Sequence, residues 1–214
     1  EDPNSFVKDI YKMLNKNGVW ISEFSYFPLL LKNLTYDQIC HEHVTYYTLK
    51  TFKRIVEKNN FKIIEVNFNE INGGSIEVFC AKKNSNKKVN LRKIEKILKD
   101  ESKIDSKAYE RFNTRVDNVK KVLRNFLANI KGKKIIGYGA STKGNIVLNH
   151  CKIDNSLLPL ICDANPYKFN RYTPGTNIKI ISKQKMHSLK PKYLLVLIWS
   201  FRTEVIKQEL KFIK

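Results

Sequence analysis

The apolar positions Phe6, Val7, Ile10, Tyr11 and Leu14 recur at intervals of three and four along the chain, the spacing of one helix face. Asp2-Pro3-Asn4 ahead of them is an Asx/Pro helix start, and Asn17-Gly18 is a stop. Val19 to Phe24 is a short, strongly apolar run, which predicts a strand of the kind buried in a parallel sheet. Ser25 to Tyr47 is aromatic-rich, contains Pro28 and holds no period. An ordered loop or lid with room for one short helix is expected there, and such segments often carry chemistry. Helical spacing returns at Leu49, Phe52, Ile55 and Val56 and stops at Asn59-Asn60, after which Phe61 to Phe68 and Ile76 to Ala81 read as strands. Between them, Asn72-Gly73-Gly74-Ser75 is either a plain hairpin turn or a place where backbone comes close to a ligand.

Residues 83 to 90 are polar and rich in lysine, marking a boundary, and Ile94, Ile97, Leu98, Val116, Val119, Val122, Leu123, Phe126 and Leu127 then predict two helices or one broken helix. After Lys131-Gly132 strand and helix patterns alternate: 134–138, 144–151, 158–162, 178–181, 182–189, 193–198 and 203–212. That alternation predicts a second, small α/β domain. The expected division is 1–83, a helical linker over 84–130, and 131–214.

At 214 residues and 42% hydrophobic content the chain can bury a core in each domain. No apolar run approaches the ~20 residues of a membrane span, and the N-terminus lacks a signal-peptide layout, so a cytoplasmic protein is expected. Cys40, Cys80, Cys151 and Cys162 are too scattered for a disulfide framework or a metal knuckle. The net charge of +20 comes mostly from dispersed lysines without a nucleic-acid-binding signature, so no nucleic-acid partner is expected. The chain opens Glu1-Asp2-Pro3 without methionine and closes on a helical pattern, Ile206 to Lys214, without a stop signal; both ends read as cut.

Two constellations carry candidate chemistry. The first is Cys40-His41-Glu42-His43. A histidine titrates near neutral pH and a neighbouring carboxylate can fix its tautomer, which suits acid/base work. A structurally neutral His-Glu-His is the plain alternative. Metal binding is a third reading, weakened because adjacent residues cannot all converge on one ion. The second is Gly137-Tyr138-Gly139-Ala140-Ser141-Thr142-Lys143-Gly144, a glycine turn between a predicted strand and helix. Backbone N–H groups at such a helix start, with Ser141, Thr142 and Lys143, suit a diphosphate. Asp163 ends the next predicted strand, so a nicotinamide dinucleotide site stays open as well.

The segment Tyr36-Asp37-Gln38-Ile39-Cys40-His41-Glu42-His43-Val44-Thr45-Tyr46-Tyr47-Thr48-Leu49 resembles the signature of the sugar C-methyltransferases that act on dTDP-linked keto-sugars. Asn72 to Ser75 fits the same family, as do Gly137 to Asn145, Asp163 to Lys168 and Tyr172 to Thr176. The resemblance covers nearly the whole chain, in several separate motifs in the same order.

It implies an α/β fold made of the last elements of a class I methyltransferase (Rossmann-like) sheet, a helical linker and a small Rossmann-like domain. It implies S-adenosylmethionine as cofactor, with the main cofactor loop and a zinc-binding domain belonging to a preceding region, so that this chain alone would not bind the cofactor fully. Metal ligands are not expected within this chain. By resemblance His43 is the base that removes a proton beside a keto group, Glu42 is its orienting partner, and His41 completes the motif. Tyr36, Tyr46, Asn72, Gly73, Gly74 and Ser75 then belong to the substrate site. So do Gly137, Gly139, Ser141, Thr142, Lys143, Asp163, Asn165, Lys168, Tyr172 and Gly175, as a nucleotide-sugar cradle. The family often has tyrosine where this chain has Cys40, which puts an enolate-steadying hydroxyl in doubt. A nucleotide-binding module without catalysis and a dinucleotide-dependent oxidoreductase are the rival functions.

Overall fold

The computed structural model describes residues 2–130, 132 and 134–213; the expected boundary residue Lys131 and the final Lys214 lie outside them. The chain divides into two compact units, one of residues 1–35 and 45–113, the other of 36–44 and 114–214. The division falls at the ends of a short loop and inside a long helix, whereas the composition shifts point to 83 and 131.

The first unit begins with α1 (Pro3–Met13), whose cap is Asp2: its carboxylate accepts from the backbone N–H of Asn4 at 3.0 Å and Ser5 at 3.3 Å. β1 (Val19–Ser25) leads through α2 (Phe27–Asn33) towards α3 (Leu49–Lys58), β2 (Phe61–Asn69), β3 (Ser75–Lys82) and α4 (Leu91–Glu101). The sheet order is β1-β3-β2, and β3 is antiparallel to both neighbours. This corrects the expected parallel, buried β1. Ile21 is 56% exposed, and the register Val19↔Ala81 to Ser25↔Ser75 is antiparallel. A short apolar run signals a strand without encoding the direction of its partner. The central strand β3 buries Ile76, Val78 and Cys80 against Phe52 and Val56 of α3 and Phe61, Ile63 and Val66 of β2. Within the 25–47 segment the structure has the helix α2 and a 3-10 turn at Tyr36–Gln38.

One buried carboxylate ties this unit together. Glu101, at the end of α4, accepts from Tyr26 Oη at 2.6 Å and from the backbone N–H groups of Leu49 and Lys50 at 2.5 and 3.0 Å. Those two N–H groups open α3, so the acid serves as a cap supplied from another helix. Burial, with the Glu101 hydrogen bond, pushes the Tyr26 hydroxyl well above its usual range.

The helix α5 (Ser106–Asn129) runs from the first unit into the second. There β4 (Ile135–Tyr138), α6 (Thr142–Cys151), β5 (Leu160–Asp163), β6 (Lys179–Ser182), α7 (Lys183–Leu189), β7 (Tyr193–Val196) and α8 (Arg202–Ile213) follow. All strands are parallel in the order β6-β5-β4-β7. One face packs Leu127, Leu148, Leu158 and Ile161; the other packs Ile136, Tyr138, Met186 and Val205. Covering both faces is what a parallel sheet needs, and it explains why β4 is buried at every position. The strand order reverses between β4 and β7, which opens a crevice at their carboxyl ends.

α8 is anchored by Glu209, which accepts from Tyr138 Oη at 2.8 Å and lies 2.6 Å from His187 Nε2, with Lys183 Nζ at 3.7 Å. Burial pushes the Glu209 carboxyl up, but hydrogen bonds from His187 and Tyr138 and the charges of His187 and Lys183 outweigh it, so it titrates below its ordinary value. A carboxyl depressed on folding adds stability above its unfolded pKa, and that stability is lost as pH falls through the folded value. Glu209→Gln is therefore expected to lower the melting temperature of the second unit at pH 7, the deficit shrinking below the carboxylate range. Melting curves of both forms from pH 7 to 3 check this; a deficit independent of pH would assign the effect to packing.

Candidate functional site

The loop bearing His41, Glu42 and His43 belongs to the second unit. It starts with the Tyr36–Gln38 turn, which packs on α6. Tyr36 Oη lies 3.7 Å from Cys151 Sγ, and its ring stands 5.3 Å from that of His150. Burial, assisted by Cys151, pushes the Tyr36 hydroxyl above its usual range. Asp37 is 3% exposed and accepts from Trp199 Nε1 at 2.8 Å. Burial pushes its carboxyl up, opposed by the Trp199 hydrogen bond and the charge of Lys143.

His43 is half-buried, with Nδ1 2.8 Å from the backbone carbonyl oxygen of Gln38. A carbonyl oxygen only accepts, so Nδ1 carries the hydrogen and the neutral ring keeps its lone pair on Nε2. In that tautomer Nε2 is the basic nitrogen of the ring. His41 and Glu42 are exposed and Cys40 is partly exposed. Glu42 was the orienting partner implied by resemblance; the partner on Nδ1 here is the Gln38 carbonyl.

The second constellation lies at the carboxyl end of β4. Gly139 adopts φ +91°, and a Cβ there would meet Ile198 Cγ2 at 2.6 Å, so glycine is required by both backbone and packing. Gly139 N donates to the Cys162 carbonyl at 2.8 Å, Ala140 N to Asp163 Oδ2 at 2.9 Å, and Gly144 N to the capping Ser141 Oγ at 3.0 Å. Lys168 Nζ reaches the Ala140 carbonyl at 2.9 Å and Asp163 at 3.3 Å, while Asp163 Oδ1 accepts from Asn165 N at 2.8 Å. Asp163 and Lys168 thus brace the turn. With both its oxygens engaged by protein groups, Asp163 is poorly placed to take the ribose hydroxyls of a dinucleotide. Gly137 packs on Ile161 and Leu158, and Gly175 on Asn149. Thr142 and Tyr172 are exposed and Lys143 is half-buried. Beside the turn is a cavity of about 350 Å³ lined by Tyr138, Gly139, Cys162, Asp163, Lys183 and Ile198 among others.

Tyr46 and Asn72 to Ser75 belong to the first unit. Tyr46 stands 6.5 Å from the Phe27 ring. The turn at Asn72–Gly74 backs onto α2: a Cβ on Gly74 would meet Leu29 Cβ at 2.8 Å, and Asn33 Nδ2 donates to the Gly73 carbonyl at 2.7 Å. Ser75 is buried and its hydroxyl donates to the Ile71 carbonyl at 3.0 Å. The close approach these glycines permit is to the protein's own helix.

Comparison with known proteins places this geometry. The profile of the C-methyltransferase C-terminal domain matches residues 70–214, about two thirds of the chain. The chain belongs to this C-methyltransferase family. A general methyltransferase-domain profile matches residues 1–66. The C-methyltransferase NovU of Streptomyces niveus is 28% identical over 219 residues, covering 97% of this chain and 52% of that protein. The chain therefore spans about half the length of its relative.

S-adenosylmethionine is the cofactor of such methyltransferases. The glycine turn of the first unit is filled by Leu29 and Asn33, so it offers no cradle for that molecule. Among the described residues no cluster of three His, Cys, Asp or Glu side chains is arranged to hold a metal ion, and no helix is long and apolar enough to cross a membrane.

The residues that sequence reasoning missed are Asp37, Gln38 and Trp199. A backbone carbonyl leaves no trace in residue type, and Asp37 and Trp199 are 162 positions apart.

Proposed function

We propose that the chain is the C-terminal half of an S-adenosylmethionine-dependent C-methyltransferase acting on a nucleotide-linked keto-deoxysugar of the dTDP type. The single observation that carries the mechanism is the hydrogen bond from His43 Nδ1 to the Gln38 carbonyl, which leaves the basic lone pair on Nε2. His43 Nε2 takes the proton from the carbon beside the keto group, giving an enolate whose carbon is the nucleophile. The cofactor, when bound, supplies the electrophilic methyl group. Glu42 and His41, both exposed in the same loop, contribute to the sugar site. The nucleotide is assigned to the cavity at the carboxyl ends of β4 and β5, lined by Gly139 and Asp163 among others, and to the neighbouring turn and loops that carry Gly137, Ser141, Thr142, Lys143, Asn165, Lys168, Tyr172 and Gly175. That choice is supported by the reversal of strand order between β4 and β7, the usual ligand crevice of an open parallel sheet, since Ile198 and Phe201 after β7 also line the cavity.

The test uses the full-length enzyme with a dTDP-linked keto-deoxysugar in heavy water. Without methyl donor, deuterium is expected to enter the carbon beside the keto group; with donor, that carbon is expected to gain a methyl group. A product methylated on oxygen, with no deuterium exchange, would overturn the reading.

A further inference from the structure

A carbonyl can select a histidine tautomer only if the carbonyl itself is fixed. The Gln38 oxygen accepts from Cys40 N at 3.0 Å as well as from His43 Nδ1 at 2.8 Å, so one atom closes the following turn and holds the imidazole. Its position is set by Tyr36–Gln38, and Gln38 itself is 1% exposed. Within that turn Tyr36 rests on Cys151 and His150 of α6, and Asp37 turns inward to Trp199, just after β7. A carboxylate at this depth is costly unless it is hydrogen-bonded. An apolar side chain would fill the same space without that cost. An acid that meets one directed indole N–H donor, with Lys143 close enough for its charge to act on it, fixes an orientation as well as filling volume.

We propose that Asp37, held by Trp199, is a positioning residue for His43: the pair fixes the Tyr36–Gln38 turn so that the Gln38 carbonyl keeps the imidazole in its Nδ1–H tautomer. The role rests on the reading of His43 as the base. It makes the C-terminal domain the scaffold of the proton-transfer step, because α6 and the segment after β7 supply every anchor named here.

The test reads the tautomer directly. Long-range proton–nitrogen correlation spectra of the ¹⁵N-labelled chain report which ring nitrogen of His43 carries hydrogen, the signal being identified by its loss in His43→Gln. Wild type is expected to show the Nδ1–H form. Trp199→Phe, which keeps an aromatic ring and removes the donor, is expected to move His43 to the averaged mixture of an unrestrained imidazole. Asp37→Asn, whose amide oxygen still accepts from the indole, is expected to retain the wild-type tautomer. In the full-length enzyme Trp199→Phe should lower kcat by ~10-fold or more, the scale of a small misplacement of a reacting group, with KM for the nucleotide sugar within a few-fold. Should Trp199→Phe not fold, Asp37→Leu carries the same expectation. A folded Trp199→Phe or Asp37→Leu protein that keeps both the Nδ1–H tautomer and the wild-type kcat would overturn the proposal. Failure of the base reading looks different: His43→Ala would retain turnover whatever the tautomer result.

Discussion

His43→Ala in the full-length enzyme is expected to reduce methyl transfer by ~10²–10⁴-fold, the usual contribution of a positioned general base. The nucleotide-sugar Kd should stay within a few-fold of wild type, because Nε2 acts on a carbon-bound proton and makes no contribution to holding the diphosphate. Loss of kcat and kcat/KM together is the pattern of an interaction made only in the transition state. Deuterium exchange beside the keto group should fall in parallel, since it needs the same proton removal without methyl transfer. Binding by calorimetry and turnover by product mass are measured separately; full turnover in the variant would remove His43 from the mechanism.

The second large effect is on stability. Glu101→Ala takes the acceptor from Tyr26 Oη and from the two N–H groups that open α3, in a position only 8% exposed. The loss is expected to reach at least the roughly 1.5–3 kcal/mol of a single hydrogen bond to a charged group, because buried donors are left without partners. Glu101→Gln, which keeps one acceptor oxygen, should lose less. Denaturant titration followed by emission from Trp20, which lies in the first unit, checks both variants; an alanine variant as stable as wild type would show that water replaces the carboxylate.

The helices and strands of 134–212 were legible because each strand is a short apolar run bounded by turn residues, and such runs survive intact in a doubly covered sheet. The direction of β1 was not, since Val19 to Phe24 reads the same whether its partner runs with it or against it. The glycine turn at 137–144 was located, but its purpose was only half visible. Gly139 answers to Ile198 and Asp163 to the Ala140 N–H, contacts made by residues remote in sequence. In the His-Glu-His loop a candidate base was readable from residue type. The hydrogen bonds around it were not, because a main-chain oxygen and an acid–indole pair are brought together only by folding.

Residues 36–44 fold with the second unit although the chain on both sides of them folds with the first. The border between the two modules is therefore crossed at 35/36, 44/45 and 113/114, and a single cut cannot separate them. A protein ending at Asn113 would carry the His41–His43 loop without α6 or Trp199 to seat it. Exchanging C-terminal domains among relatives would likewise transplant the support but leave behind the loop it supports, so a chimaera that respects this architecture has to carry Tyr36–Val44 along with residues 114–214.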